Sequence, residues 1–540
     1  MCMRKVHSSI IKRGALWALR LPAGSTLVKR IRLSAFSGLI ALSAWSAHAQ
    51  THASMAARQP QDSLFLGTKT PYQAPGQSYS PPPAGYKPVF INYVGRHGAR
   101  FLTKAGADLR VWEVLQAAEK NHALTVRGRQ VKAMTARLLA IEKNKYEQIS
   151  YLGKEEQTAL GERMLYNYGE VFTGRGLKII TTYKWRTQQS ADAFLQGLGK
   201  VPGKRQYAKA PDSLDAILRF YDLSPAYQQY KKSAALRKPL DSLDNDKRTK
   251  QVATHIWEAL FTPTFRTAST QSSSPGSQSS SSGSQSSSPR SQVSSPGSQP
   301  SSSLSQSSSG SQTSRPASID PVSFSDNLYD LYSVQFSLPG EMLEKGYTKD
   351  SISLGIAFSK KELEWLDFRS EAQDFLEKGP GFDPLGIQVR VAAPLLADFL
   401  KSTGEIVDRN RVAAGAVQDS GISPNAILRF THAEAIAPFA ALLGIPEAST
   451  PAASIYDYRA HWQAQSIIPL SANIQWVLYS NGQDWLVKVL LNERESALPI
   501  PTGSFPYYRW KDLKNYYEQQ LQSIGTGVED DPLGYLKKLK

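Results

Sequence analysis

Short apolar runs punctuate this chain. Residues 88–94, Pro-Val-Phe-Ile-Asn-Tyr-Val, are rich in β-branched and aromatic side chains and stop at Gly95, the pattern of a buried strand. Residues 177–182 repeat the pattern and lead into helical spacing over 190–198. Residues 425–430 repeat it again, ahead of a helical stretch at 435–443. Residues 473–479 and 485–491 read as an antiparallel pair joined through Ser480-Asn481-Gly482-Gln483. From about 211 to 380 the spacing is mostly helical. Strands alternating with helices around one long helical region predict an α/β/α sandwich sheet domain with an inserted, mostly α-helical second domain. The sheet domain is expected at 85–210 and 381–540, and the insert at 211–380.

Two segments fall outside this rhythm. Residues 271–318 hold 26 serines and only two charges, Arg290 and Arg315, too little apolar surface to offset ordering entropy. The tract reads as a disordered, tolerated insertion, and 50–84 as an extended lead-in. The first 49 residues carry eight Lys and Arg and no acid, followed by an apolar run at 33–45 and Ala47-His48-Ala49. That order describes a signal peptide cleaved near Ala49 and predicts a periplasmic or secreted product.

Composition then narrows the chemistry. The 540 residues carry a formal charge of +17, and losing the eight leader cations would lower it to +9. The sole cysteine, Cys2, sits in the leader, which excludes an intrachain disulfide and a Cys-rich zinc site. A mean hydropathy of −0.36, with no second long apolar stretch, argues against a membrane span. The positive balance invites a polyanionic partner, but no interleaving of aromatic and basic residues marks a nucleic-acid surface.

At three predicted strand ends, polar clusters begin. These are Arg96-His97-Gly98-Ala99-Arg100, Lys184-Trp185-Arg186-Thr187 and Thr431-His432-Ala433-Glu434. Ligands of open α/β sheets bind at the carboxyl ends of strands, so the three clusters are expected to converge. Phosphoryl transfer needs guanidinium forks for the non-bridging oxygens, an in-line nucleophile and a proton donor for the leaving oxygen. Arg96, Arg100 and Arg186 supply the forks, His97 the nucleophile, His432 a further donor and Glu434 the acid. Gly98 is expected to let backbone approach the ligand. Every role is filled without a metal or cofactor. The bland alternative, a hydrogen-bonded loop histidine between surface arginines, accounts for one cluster but not for three.

The Arg-His-Gly-Ala-Arg run resembles the signature of the histidine acid phosphatases, clade 2 of the histidine phosphatase superfamily. His432-Ala433-Glu434 is similar to the variant found in the multiple inositol polyphosphate phosphatases, which act as phytases. Leu218-Arg219-Phe220-Tyr221-Asp222 and Leu491-Asn492-Glu493 agree with them too. The resemblance implies a phosphohistidine at His97, protonation of the leaving inositol oxygen by Glu434, and substrate contacts at Thr103 and Lys104. Arg219 is a candidate substrate contact from the middle region. Leu102 and Ser224 depart from the pattern, standing where relatives often have proline and a disulfide cysteine. The serine-rich tract has no counterpart. The substrate expected is an inositol polyphosphate. The alternatives are a broad-specificity phosphatase on sugar phosphates, whose His97 and Arg96 would be identical, and a non-catalytic phosphate-ester binder, which would not need both His97 and Glu434. A Ser-His-Asp hydrolase lacks its G-x-S-x-G elbow.

Overall fold

In the computed structural model, strand β1 (Lys87–Arg96) is buried over its last seven residues, because both faces of the sheet around it are covered. The structure describes residues 64–76, 78–174, 176–211, 214–265, 320–413 and 424–540. The leader, the first part of the lead-in and the serine-rich tract lie outside these. After β1 come helices α1 (Ala107–Lys120), α2 (Val126–Glu142) and α3 (Tyr151–Tyr168). Strand β2 (Gly176–Thr181) precedes α4 (Trp185–Leu198), and β3 (Lys204–Lys209) follows. A helical region then supplies α5 (Ala234–Asp244), α6 (Lys247–Leu260), α7 (Pro321–Gln335) and α8 (Lys360–Glu377). Helix α9 (Ala393–Ala413) returns the chain to β4 (Ala426–Thr431) and α10 (Ala433–Leu442). Strands β5 (Asn473–Ser480), β6 (Trp485–Leu491), β7 (Arg494–Glu495) and β8 (Tyr507–Arg509) follow, then α11 (Trp510–Ser523) and a short C-terminal helix, Pro532–Lys538.

The strands form one sheet in the order β3-β2-β4-β1-β5-β6-β7, with β8 also on β6. From β3 to β1 the pairing is parallel, and from β1 to β8 it is antiparallel. Side-chain alternation divides the strands cleanly. Phe90, Val94, Ile427, Ile474 and Trp476 face a core shared with α9, α10 and α11. Ile91, Tyr93, Leu177, Ile179 and Leu428 face another, shared with α3 and α4. A third core is built mainly from helices: Val111, Leu115 and Leu138 pack with Ile256, Leu328, Leu331 and Leu363. Phe101 and Leu102, just past β1, belong to it. The loop leaving β1 is thus pinned between the sheet and the helical body.

The expected fold class is what the chain adopts, and the predicted strands appear within one or two residues of their predicted limits. Strand β3, Lys-Arg-Gln-Tyr-Ala-Lys, was not anticipated. It is a largely exposed edge strand that among the described residues pairs with β2 alone, so it has no buried face to mark it. Among the described residues no helix is long and apolar enough to cross a membrane.

Candidate active site

Strand register brings the predicted clusters together. Arg96 of β1 lies opposite Thr431 of β4, and Thr181 of β2 opposite Phe430. His97 N–H donates to the Thr431 carbonyl at 3.0 Å, so His97 and His432 leave neighbouring strands side by side. Their rings meet edge-on, 5.6 Å between centroids.

His97 is 3% exposed, and its Nδ1 lies 3.0 Å from the Gly98 carbonyl. A carbonyl only accepts, so Nδ1 carries the proton and Nε2 keeps its lone pair. Burial, then the charges of Arg186, Arg100 and Arg96, hold the imidazole well below its usual range, so it stays neutral in mild acid. The loop is fixed by α3. Glu156 accepts Ala99 N–H at 2.9 Å and the Ser471 hydroxyl at 2.7 Å, and Gln157 donates to the Arg96 carbonyl at 3.0 Å. Gly98 serves this packing: a Cβ there would lie 2.4 Å from the Gly153 carbonyl oxygen. A close approach to helix α3 therefore demands glycine here, in addition to the ligand approach expected from the sequence.

The arginines converge. Arg96 donates to the carbonyls of Thr68 and Ile468, Arg100 to that of Phe101, and Arg186 pairs with Glu147 at 3.2 Å. The Nε atoms of Arg96, Arg100, Arg186 and Arg219 are buried without a protein partner among the described residues, as is His432 Nδ1. Burial lowers Arg96 and Arg100 to about 10, with Arg186 adding to the effect at both. Mutually repelling cations in one buried place are what an anion site looks like in the protein by itself. His432 is likewise held well below its usual range by burial and by Arg186, although Glu434 opposes this.

Glu434 stands in the first turn of α10, its side chain 40% exposed. Burial acts to raise its pKa, but Lys378, His432, its own backbone N–H and Arg96 outweigh that and hold the carboxyl at about 2. Lys378, just beyond α8, places Nζ 4.0 Å from Glu434 Oε1 and is itself paired with Asp374. The motifs did not reveal Lys378, because a lysine at a helix C-terminus reads as an ordinary partner of the helix dipole. Thr103 and Lys104 line a cavity of about 220 Å³ that also borders Arg96, Arg100, Lys69 and Arg110. They flank the histidine pair rather than join it. Arg219 does join it, donating to His432 Nε2 across 3.2 Å.

Comparisons with known proteins place the chain among phosphatases of similar sequence and fold. Residues 89–289 match the model of the histidine phosphatase superfamily (branch 2). Multiple inositol polyphosphate phosphatase 1 of Gallus gallus is 24% identical over 485 residues, covering 85% of this chain and 90% of that protein. The multiple inositol polyphosphate phosphatase of Bifidobacterium longum, solved with inositol hexasulfate, superposes with a TM-score of 0.64 at 21% identity. That match covers 84% of this chain and 97% of the other. The phytase from D. castellii superposes at 0.57 with 14% identity, covering 90% of this chain and 92% of that one.

Proposed function

For a chain that belongs to branch 2 of the histidine phosphatase superfamily, we propose the hydrolysis of inositol polyphosphates, phytate among them, through a phosphohistidine at His97. One observation carries the reading. The Nδ1–H clamp to Gly98 leaves a neutral Nε2 lone pair amid Arg96, Arg100 and Arg186. The names of the relatives in chicken and Bifidobacterium longum support the substrate class.

In the first step Nε2 attacks phosphorus in line. The P–N bond forms as the ester P–O bond breaks, and the leaving inositol oxygen takes the proton of Glu434. In the second, water attacks phosphorus, gives its proton back to Glu434, and the P–N bond breaks. The guanidiniums and the His432 donor hold the equatorial oxygens throughout. Glu434, at about 2 in the protein alone, must regain a proton to act. The substrate's negative charges offset Lys378 and Arg96 and raise it, so activity belongs to acidic pH.

The test is ion-exchange separation of inositol phosphates over time, from phytate and the mature protein. Stepwise loss of phosphate is expected, and its disappearance in His97→Ala. Turnover of sugar phosphates but not phytate would shift the substrate class, and substantial turnover by His97→Ala would remove the nucleophile. We propose also that the leader exports the protein. Amino-terminal sequencing of the product should begin near Gln50, and a product retaining residues 1–49 would count against export.

A further inference from the structure

Arg219 meets the site at His432, and its hydrogen bond has a consequence for the imidazole. Its guanidinium is 4.8 Å from the Tyr183 ring centre and 5.4 Å from that of Tyr221, and it is ion-paired with Asp222 on the same turn. Only 11% of the side chain is exposed. Held there, it presents an N–H to His432 Nε2 at 3.2 Å. A guanidinium has no lone pair to offer, so Nε2 must accept.

The other neighbour of Nε2 would permit the opposite state. Thr182 Oγ1 lies 3.1 Å from it and 2.9 Å from Thr187 Oγ1. The Thr187 hydroxyl donates to the Lys184 carbonyl at 2.8 Å, which leaves Thr187 Oγ1 free to accept from Thr182. Thr182 then has a lone pair for an Nε2–H. Without Arg219, His432 would protonate Nε2 and turn a bare lone pair at Nδ1 toward the phosphate. With it, the proton sits on Nδ1, the buried atom that has no protein partner among the described residues.

We infer that Arg219 is a positioning residue: it fixes the His432 tautomer so that Nδ1–H, rather than a lone pair, faces the phosphoryl oxygens. The inference rests on the phosphatase reading only for where Nδ1–H is used, not for where the proton lies. It also separates Arg219 from a direct substrate contact. Loss of a contact made equally in ground and transition states raises KM, whereas loss of a correctly directed donor lowers kcat.

Two-bond ¹H–¹⁵N spectra of histidine-labelled mature protein, with His432 assigned by its absence in His432→Gln, read the tautomer without substrate. Nδ1–H is expected in the unaltered protein and in Arg219→Lys, and Nε2–H in Arg219→Met. On phytate, Arg219→Met should lose on the order of 10²-fold in kcat with KM little changed, as for loss of one oriented donor. Arg219→Lys should recover most of that loss. An Nε2–H tautomer in the unaltered protein overturns the inference, and that spectrum decides even if Arg219→Met fails to fold. A raised KM with kcat preserved overturns it too. Absence of phytate turnover alongside an Nδ1–H signal would instead count against the phosphatase reading.

Discussion

A lysine 4.0 Å from the Glu434 carboxyl decides when that group can hold a proton. Lys378 is paired with Asp374 and is itself pushed upward by the acids around it, so it remains charged across the working range. Removing it takes away the largest influence that lowers Glu434. In Lys378→Met the carboxyl therefore rises toward the ordinary range. The alkaline limb of the kcat/KM–pH profile should move upward, by on the order of one unit. An unmoved limb would separate Lys378 from the acid. Fixed spacing made Arg96, His97 and Arg100 readable from sequence, and placement after a strand added His432 and Glu434. Lys378 was not readable because it reaches the site through the packing of α8, which no local pattern records.

Between elements, the decisive contact is loop against helix. Gly153, three residues past the Ser150 cap of α3, lies so close to the loop that a Cβ would sit 2.0 Å from the Ala99 carbonyl oxygen. Helix propensity alone would have Gly153→Ala stabilise α3 by about 1 kcal/mol. Backbone collision should reverse that sign, costing roughly 1–3 kcal/mol and displacing Ala99 from Glu156. A lower urea midpoint together with reduced phytate turnover is expected; a gain in stability would show that the loop yields easily. Burial again explains what was legible here. Strands β1 and β4 announce themselves because both their faces are covered, whereas β3 is visible only through its hydrogen bonds to β2. Helices α1 and α2 pack on α6 and α7, whose residues lie more than a hundred positions downstream in sequence, and periodicity names a helix but not its neighbour.

For the molecule as a whole, the mixed sheet places the first strand of the fold between two that come from its last quarter. On one side β1 meets β4 and on the other β5, with helices α1 to α9 intervening. Convergence at the sheet's carboxyl edge was legible, because three clusters each followed a strand. The helical core that grips Phe101 and Leu102 was not, since it draws on chain segments separated by the serine-rich tract. The position of β1 also governs the order of events when the chain is made. Its backbone groups cannot find either permanent neighbour until more than 330 further residues have emerged. The nascent polypeptide must therefore keep a strand whose last seven residues are destined for burial from pairing elsewhere throughout that interval. His97 and His432 come side by side only once β4 has joined β1, so the proposed phosphate chemistry waits on about four-fifths of the chain.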